Sequence, residues 1–178
     1  MKKSFFLLMT VLVLGLGLTG AALAICTDVV NSGTGFNDYR ESYEDFSWTH
    51  NGVCPVGVKS ANLSIYALDV DSSSGEVDLI SAYDTTTSSW VNLGQLFGTS
   101  LNWSTTTFTL PSSLYDEAQS GLQVKIDIDS TNTNNTMRWA VEVGSSTLEA
   151  QCVPLPGTLM LLSSGLLGLA GWRRLRKG

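Results

Sequence analysis

Carboxylates concentrate in one short stretch of the chain, Asp69–Asp78, which reads DVDSSSGEVD. Asp69 and Asp71 are two residues apart at the end of a predicted strand, so we expect both side chains on one side of it. A glycine-containing turn follows, and Glu76 and Asp78 come directly after the turn. Several carboxylate oxygens held this close together are the ligands that a hard cation such as calcium takes in proteins.

A second acidic pair, Asp127 and Asp129 in KIDIDSTN, repeats this spacing, and we expect it to meet the first. The stretch is not an EF-hand loop, because Gly75 falls one place late and the closing glutamate is absent. The alternative is that these aspartates form turns, in which they hydrogen-bond their own backbone. The sequence predicts calcium as a cofactor, with ligands drawn from Asp69, Asp71, Glu76, Asp78, Asp127 and Asp129.

Residues for covalent or acid–base catalysis are sparse. The chain has one histidine, His50, at the end of a strand pattern, and it contains no GxSxG motif. A lone histidine in that position is more often a surface residue than a catalytic base. The carboxylates leave a glycosidase pair open but nominate none, because that mechanism depends on their separation in space. We therefore predict a protein that is not an enzyme.

Tryptophans offer a second kind of chemistry, the stacking of aromatic rings on sugars. Trp48 and Trp139 lie in phase with apolar neighbours, which predicts that they are buried. Trp90 and Trp103 adjoin polar loops instead, and we single them out as the candidate carbohydrate-binding residues.

Three cysteines, Cys26, Cys54 and Cys152, allow three disulfide pairings. An exported chain reaches an oxidising compartment, so one disulfide is expected. We favour Cys26–Cys54, which would tie the N-terminal segment to the first hairpin. Cys26–Cys152, which would join the two ends of the domain, is the close alternative. The lack of a CxxC pair argues against a zinc site built from these residues.

The charge of the chain is unevenly distributed. All sixteen acidic residues lie between Asp28 and Glu149, a stretch that contains only four basic residues and has a formal charge of −12. Such a body repels nucleic acid and anionic lipid, so nucleic acid is excluded as a partner. Its surroundings should be hydrated and rich in cations.

Apolar residues alternate with polar ones through most of the body, which is typical of antiparallel sheet with one solvated face. Clusters of Gly, Ser, Asn and Asp separate the runs, and only PSSLYDEAQSG, from Pro111, has a helical pattern. The fold class that follows is all-β, an antiparallel β-sandwich or jelly roll. The expected inward positions are Phe46, Trp48, Leu63, Ile65, Ala67, Val77, Leu79, Thr106, Phe108, Leu110, Val124, Ile126, Ile128, Trp139, Val141 and Val143.

The N-terminus has the organisation of a secretory signal peptide. Two lysines precede the uncharged run Ser4–Leu18, and Ala22-Leu23-Ala24 supplies small residues at the cleavage site. We predict a signal peptide over residues 1–24, removed by signal peptidase, and one β-sandwich domain over residues 25–152. Isoleucine before Cys26 argues against lipidation of that cysteine.

The C-terminus combines prolines, an apolar run and a basic tip. Residues 158–172 form a predicted membrane helix of fifteen residues, which is below the roughly 20 needed to cross a bilayer comfortably. The basic tip should stay in the cytoplasm, which places the body outside. So short a helix, interrupted by glycines, suits a transient anchor, whereas the alternative is a permanent single-span anchor.

This tail, VPLPGTLMLLSSGLLGLAGWRRLRKG, resembles the sorting signal of PEP-CTERM proteins of Gram-negative bacteria, over residues 153–178. Those signals join a Pro-Glu-Pro motif, an apolar helix and an arginine-rich tip, and an exosortase in the cytoplasmic membrane processes them. Leu155 replaces the usual glutamate in a VPLP form. The residues that carry the resemblance are Val153, Pro154, Leu155, Pro156, Gly157, Arg173, Arg174, Arg176 and Lys177.

The body, from about Ser42 to Leu148, also resembles a β-sandwich domain common among such proteins, through ANLSIYALDVDSSSGEVD, NWSTTTFTL and VKIDIDS. The resemblance implies a non-enzymatic protein of the cell surface or extracellular matrix, associated with exopolysaccharide and biofilm. It also implies brief anchoring in the cytoplasmic membrane and cleavage near residues 154–158. The alternative is a carbohydrate-binding adhesin or an accessory module of a polysaccharide-active enzyme.

Overall fold

Two antiparallel sheets pack face to face in the computed structural model, which describes residues 24–131 and 139–154. Every strand of these two ranges belongs to the compact unit Ala24–Val153. The alternation of apolar and polar residues predicted this all-β sandwich, and that prediction is confirmed. The strands are β1 (Ala24–Val30), β2 (Tyr39–Glu41), β3 (Phe46–Asn51), β4 (Val58–Leu68), β5 (Leu79–Asp84), β6 (Ser89–Gln95), β7 (Trp103–Thr109), β8 (Gly121–Asp127) and β9 (Ala140–Cys152).

The five-stranded sheet has the order β1-β9-β4-β7, and β2 pairs with the first part of β9 beside β1. The four-stranded sheet has the order β3-β8-β5-β6. One short helix, α1 (Tyr115–Ser120), precedes β8, in the segment whose sequence pattern predicted a helix. Strands β6 and β7 are the edges of the two sheets on the same side of the sandwich.

The core consists of the inward residues of the central strands. Leu63 and Ile65 of β4 are completely buried, as are Val124 and Ile126 of β8. Burial of apolar area of this kind is the main stabilising contribution to such a sandwich. The predicted inward positions on β4, β7 and β8 are confirmed, and Trp48 is buried as expected, whereas Trp139 is only half-buried.

Strand β5 has the opposite phase to the prediction. Val77 and Leu79, expected inside, are partly exposed, and Ile80 and Ala82 are completely buried instead. Because side chains alternate along an extended chain, this phase also turns Glu76 and Asp78 towards the interior. The shift therefore decides where the acidic residues of this region lie.

The disulfide joins Cys54 to Cys152, with an S–S distance of 2.09 Å and a Cα–Cα distance of 5.3 Å. The predicted Cys26–Cys54 pairing is wrong, and so is its alternative, Cys26–Cys152. The reason is the register of β1, which pairs Cys26 with Ala150 and leaves its side chain half-buried against the core. Cys152 ends β9 and lies beside Cys54, so the bond closes a loop with a sequence separation of 98.

Candidate functional site

The acidic stretch between β4 and β5 divides into two parts with different surroundings. Asp69 follows the last residue of β4 and has a φ of +64°, which turns the chain out of the strand direction. Its Oδ1 accepts hydrogen bonds from the Leu101 N–H (2.7 Å) and the Ser100 hydroxyl (3.3 Å). Asp69 therefore holds the loop before β7. The expectation that Asp69 and Asp71 point to one side of a strand is wrong, because the strand ends before them.

The other part brings three buried carboxylates together, which we call the acidic trio: Glu76, Asp78 and Asp129. Glu76 and Asp78 are each 1% exposed, and Asp129, from the turn after β8, is 3% exposed. The Asp129 N–H donates to Asp78 Oδ1 at 3.0 Å, and the Asp71 N–H donates to Glu76 Oε2 at 2.5 Å. The second acidic pair thus meets the first through Asp129.

Each carboxylate of the acidic trio has one oxygen without a partner among the described residues. Glu76 Oε1, Asp78 Oδ2 and Asp129 Oδ2 are buried and accept no hydrogen bond from that part of the chain. Buried polar atoms in folded proteins nearly always have a partner, so three such oxygens on neighbouring acidic groups call for an explanation.

Two carboxyl groups of the acidic trio, those of Glu76 and Asp78, have raised pKa values. Burial raises the pKa of Glu76 to about 8, and the charge of Asp78 contributes to the shift. Burial also raises the pKa of Asp78 to about 6, even though the hydrogen bond from the Asp129 backbone N–H lowers it. The charge of the half-buried Asp71 raises the pKa of Asp78, whereas the hydrogen bond from the Asp71 backbone N–H lowers the pKa of Glu76 by more than the Asp71 charge raises it. The surroundings of Glu76 and Asp78 therefore oppose the ionised form of both groups.

Asp127, the last residue of β8, pairs with the partly exposed Leu79 and is not one of the buried carboxylates, although its charge acts on Asp78. Its pKa is raised by burial and by the charge of Asp45, while Lys125 opposes the shift. Of the six predicted calcium ligands, the structure therefore brings together Glu76, Asp78 and Asp129, with Asp71 beside them. Within the described ranges, no three acidic, histidine or cysteine side chains are already arranged to hold a metal ion.

A chain of hydrogen bonds that no sequence motif predicts joins the two sheets at His50. His50 Nδ1 lies 3.0 Å from Asp28 Oδ2 on β1, and His50 Nε2 lies 2.8 Å from Ser146 Oγ on β9. Asn51 adds two hydrogen bonds to the same carboxylate, each 3.1 Å long. The interpretation of His50 as a surface residue is wrong, because His50 continues the inward alternation of Phe46 and Trp48 on β3 and is completely buried. Its partners come from distant strands and carry no sequence motif.

The groups Asp28, His50 and Ser146 follow one another as in the triad of serine hydrolases, but their burial gives them a structural role. His50 and Ser146 are both 0% exposed, so no substrate carbonyl can reach the hydroxyl. Desolvation lowers the pKa of His50 in spite of the hydrogen bond and the charge of Asp28, which keeps the ring neutral at neutral pH. The neutral ring donates a hydrogen bond from one N–H to Asp28 and accepts a hydrogen bond from the Ser146 hydroxyl.

The two candidate carbohydrate-binding tryptophans are exposed, as expected, but lie on opposite sheets. Trp90 is the second residue of β6 and is 38% exposed; its ring packs edge-on against Tyr83 at 5.2 Å, and the Lys125 ammonium lies 4.8 Å from its centroid. Trp103 begins β7, is 40% exposed, and stacks on Tyr66 with a centroid distance of 4.6 Å and an interplanar angle of 15°. They cannot contact one ligand ring together.

Trp103 and Tyr66 form a continuous aromatic surface on the outer face of the five-stranded sheet. Both rings lie over Gly144 of β9, where a Cβ atom would approach Trp103 to 2.7 Å and Tyr66 to 3.3 Å. Hydroxyl groups of Ser64 and Thr107, bonded to each other at 2.9 Å, lie on the same two strands, β4 and β7. We call this surface the Tyr66–Trp103 platform.

A cleft of about 670 Å³ lies beside β7, between it and β6. Its lining is apolar and hydroxylated and includes no charged residue: Leu79, Leu93, Gly94, Gln95, Phe97 and Thr105 to Phe108. Neutral ligands suit such a lining better than ions do.

The last strand of the sandwich ends at Cys152, and the prolines and the apolar run begin directly after it. Residues 153–177 match the PEP-CTERM protein-sorting motif. The match starts at Val153 and includes the basic tip as far as Lys177. It implies that the protein is exported, is held briefly in the membrane and is processed by an exosortase.

Solved structures with a similar chain path include a xylan-binding module CBM15, which is 15% identical, with a TM-score of 0.40 over 74% of this chain and all of that chain. Another is the enzymatically active domain of tailspike protein 4 of bacteriophage CBA120, 12% identical, with a TM-score of 0.29. This chain covers 17% of the tailspike chain, and 72% of this chain is matched. No curated protein matches the sequence. Neither structural likeness bears on what this chain binds.

The predicted membrane helix over residues 158–172 and the signal peptide up to Leu23 lie outside the described residues. Among the residues that are described, no helix is long and apolar enough to cross a membrane. Ala24, the predicted last residue of the signal peptide, pairs with Cys152 in the first row of the β1–β9 ladder.

Proposed function

We propose that this chain is a non-enzymatic protein of the cell surface or extracellular matrix of a Gram-negative bacterium. Signal peptidase would remove residues 1–24, and an exosortase would then cut the tail near residues 154–158. The observation that carries the proposal is the junction at Val153, where the sorting motif begins one residue after β9 ends. Cleavage there would release a sandwich that keeps all nine strands of the described residues.

The charge of the body supports an extracellular role. A formal charge of −12 keeps such a protein soluble in a hydrated, cation-rich matrix and away from anionic lipid. The proposed partners are signal peptidase and exosortase during export, the membrane briefly through residues 158–172, and exopolysaccharide in a biofilm afterwards.

Intact-mass measurement tests the sorting step. We expect the protein recovered from the surface or medium to lack Arg173–Gly178, because the basic tip remains on the cytoplasmic side when the tail is cut. Replacing Pro154 and Pro156 by alanine should leave an uncut, membrane-bound precursor, whereas Pro111→Ala in the body is the matched control. Recovery of a mature protein that still carries its basic tip would contradict exosortase processing.

Carbohydrate binding is the second candidate function, and the Tyr66–Trp103 platform favours it. Flat, half-exposed rings fixed on a sheet can stack on the apolar face of a sugar. The neighbouring hydroxyl groups and the uncharged cleft offer hydrogen bonds and apolar contact without fixed charge. We therefore propose a neutral polysaccharide as the ligand of this face, as in an adhesin or an accessory module.

A glycan array with the full-length protein in detergent tests this second proposal. Trp103→Ala should weaken binding by about tenfold or more, since stacking contacts of large aromatic residues are among the strongest at binding sites. Gly144→Ala should also weaken it, because the added Cβ displaces Trp103 while both rings remain. Trp90→Ala, on the other sheet, is the control, and a greater loss there than in Trp103→Ala would reject the platform.

A further inference from the structure

We propose that Glu76, Asp78 and Asp129 bind a calcium ion, with Asp71 at the entrance to the site. This proposal is independent of the sorting and carbohydrate proposals. The three carboxylates come from two segments, the turn before β5 and the turn after β8. Each is at least 97% buried and has one oxygen with no hydrogen-bond partner in the described part of the chain.

A cation is the partner that these oxygens lack. Buried carboxylates are normally paired with a basic group or bound to a metal, since an uncompensated charge is costly away from water. The ion pair of Arg40 involves another carboxylate, Asp38, and Asp28 is hydrogen-bonded to the neutral ring of His50. The lysine closest in sequence to the trio, Lys125, interacts with Asp127 instead. Among the described residues, the trio therefore has unpartnered carboxyl oxygens and no basic side chain that would neutralise its ionised form.

The chemistry of the donors favours calcium over other metals. All of the available ligands are oxygens, whereas zinc and copper sites use imidazole or thiolate groups. Calcium accepts irregular sets of six to eight oxygens and completes them with backbone carbonyls and water. Magnesium requires near-octahedral geometry and loses its water reluctantly, so a buried site of three carboxylates suits it less well.

The turn that carries Glu76 can adjust to the ion. The carboxylates of the described residues are not yet arranged around a common point. Glu76 follows Gly75, whose φ of +106° ends the short 3-10 turn Ser72–Ser74. Asp71, at the start of that turn, is half-buried and opens the site to solvent. Binding should draw this turn towards Asp78 and Asp129, which the hydrogen bond from the Asp129 N–H to the Asp78 carboxylate already holds together.

The test compares thermal unfolding of the full-length protein in detergent with a chelator, with millimolar calcium and with millimolar magnesium. Calcium should raise the melting temperature by about 5 °C or more, because a ligand that binds only the folded state stabilises it. Magnesium should give a clearly smaller shift. Titration calorimetry with calcium chloride should report one site per chain.

Glu76→Gln and Asp78→Asn should each abolish the calcium shift. Both should also melt at the same temperature as the wild type or higher in chelator, because they remove carboxyl groups whose ionisation the buried site opposes. A carboxylate with a merely structural role would instead lower the melting temperature in chelator and leave the calcium shift intact. Asp129→Asn is the third variant of the set, so that the test stands if one of them fails to fold.

Three controls separate this site from other acidic groups. Glu117→Gln changes a buried carboxylate that also has an unpartnered oxygen among the described residues but lies outside the trio. Asp69→Asn and Asp127→Asn change predicted ligands that the structure places elsewhere. All three should keep the calcium shift. An unchanged melting curve between chelator and calcium, an equal response to magnesium, or a shift that survives in Glu76→Gln and Asp78→Asn would overturn the proposal.

Discussion

Replacing Cys54 and Cys152 together by serine should lower the free energy of unfolding by about 4.7 kcal/mol, the value expected for a loop of this length. The disulfide closes a loop with a sequence separation of 98, so its removal releases much of the unfolded chain from a long-range constraint. A loss of that size approaches the whole stability of many domains. Urea unfolding of the oxidised wild type and of the double variant would measure the difference.

Cys26→Ser is the matched control for that experiment. Cys26 is half-buried against the core but takes no part in the disulfide, so its replacement should cost about 1 kcal/mol or less. A greater loss from Cys26→Ser than from Cys152→Ser would show that the bond joins other cysteines. Mass mapping of proteolytic fragments without reduction gives an independent reading of the same pairing.

Replacing His50 by alanine should lower the free energy of unfolding by about 3 kcal/mol at neutral pH, from the cavity and the lost hydrogen bonds together. Ser146 Oγ, which is completely buried, would lose its acceptor, and Asp28 would lose one of the donors that join β1 to β3. Urea unfolding at neutral pH measures the loss. Thr49→Ala, at the exposed neighbouring position of β3, should cost about 1 kcal/mol or less.

The same variant has an expected pH dependence whose sign follows from the lowered pKa of His50. The unfolded chain takes up a proton below about pH 6.5, whereas the folded chain resists it. The contribution of His50 is therefore present above that pH and lost as the pH falls. The difference between wild type and His50→Ala should shrink towards about pH 5, where Asp28, whose pKa is also lowered, remains ionised. A constant difference over this range would contradict a neutral, buried His50.

The sheets could be predicted from the sequence because alternation is a local property of each strand. On β4, β7 and β8 the apolar residues themselves mark the inward face. On β5 this criterion failed, because the apolar residues Val77 and Leu79 face outward. The inward positions before the strand are occupied by the carboxylates Glu76 and Asp78. A carboxylate in an inward position violates the rule that hydrophobic residues mark the core, and such a violation is typical of a functional site.

The partners in the candidate sites depend on contacts between distant segments, which spacing cannot supply. The side chains of Asp69 and Asp71 do not lie on one side of a strand, because the positive φ of Asp69 turns the backbone out of the strand direction. The hydrogen bond between Asp129 and Asp78 spans 51 positions of sequence, and the one between Ser146 and His50 spans 96. The prediction of the disulfide pairing failed for the same reason, because the register of β1 on β9 decides which thiol can reach Cys54.

Mechanical tension would reach only a small part of the body. A pull on Val153 against Ala24 passes from Cys152 through the sulfur–sulfur bond to Cys54, so the chain between these two cysteines cannot add to the extension. The loaded segment, residues 24–54, can lengthen by at most about 3.5 Å per residue. Because Ala24 lies opposite Cys152 in an antiparallel ladder, the pull opens β1 from β9 one residue pair at a time. A body held at its C-terminal end would therefore extend at low force over a short distance, after which the disulfide would prevent further extension.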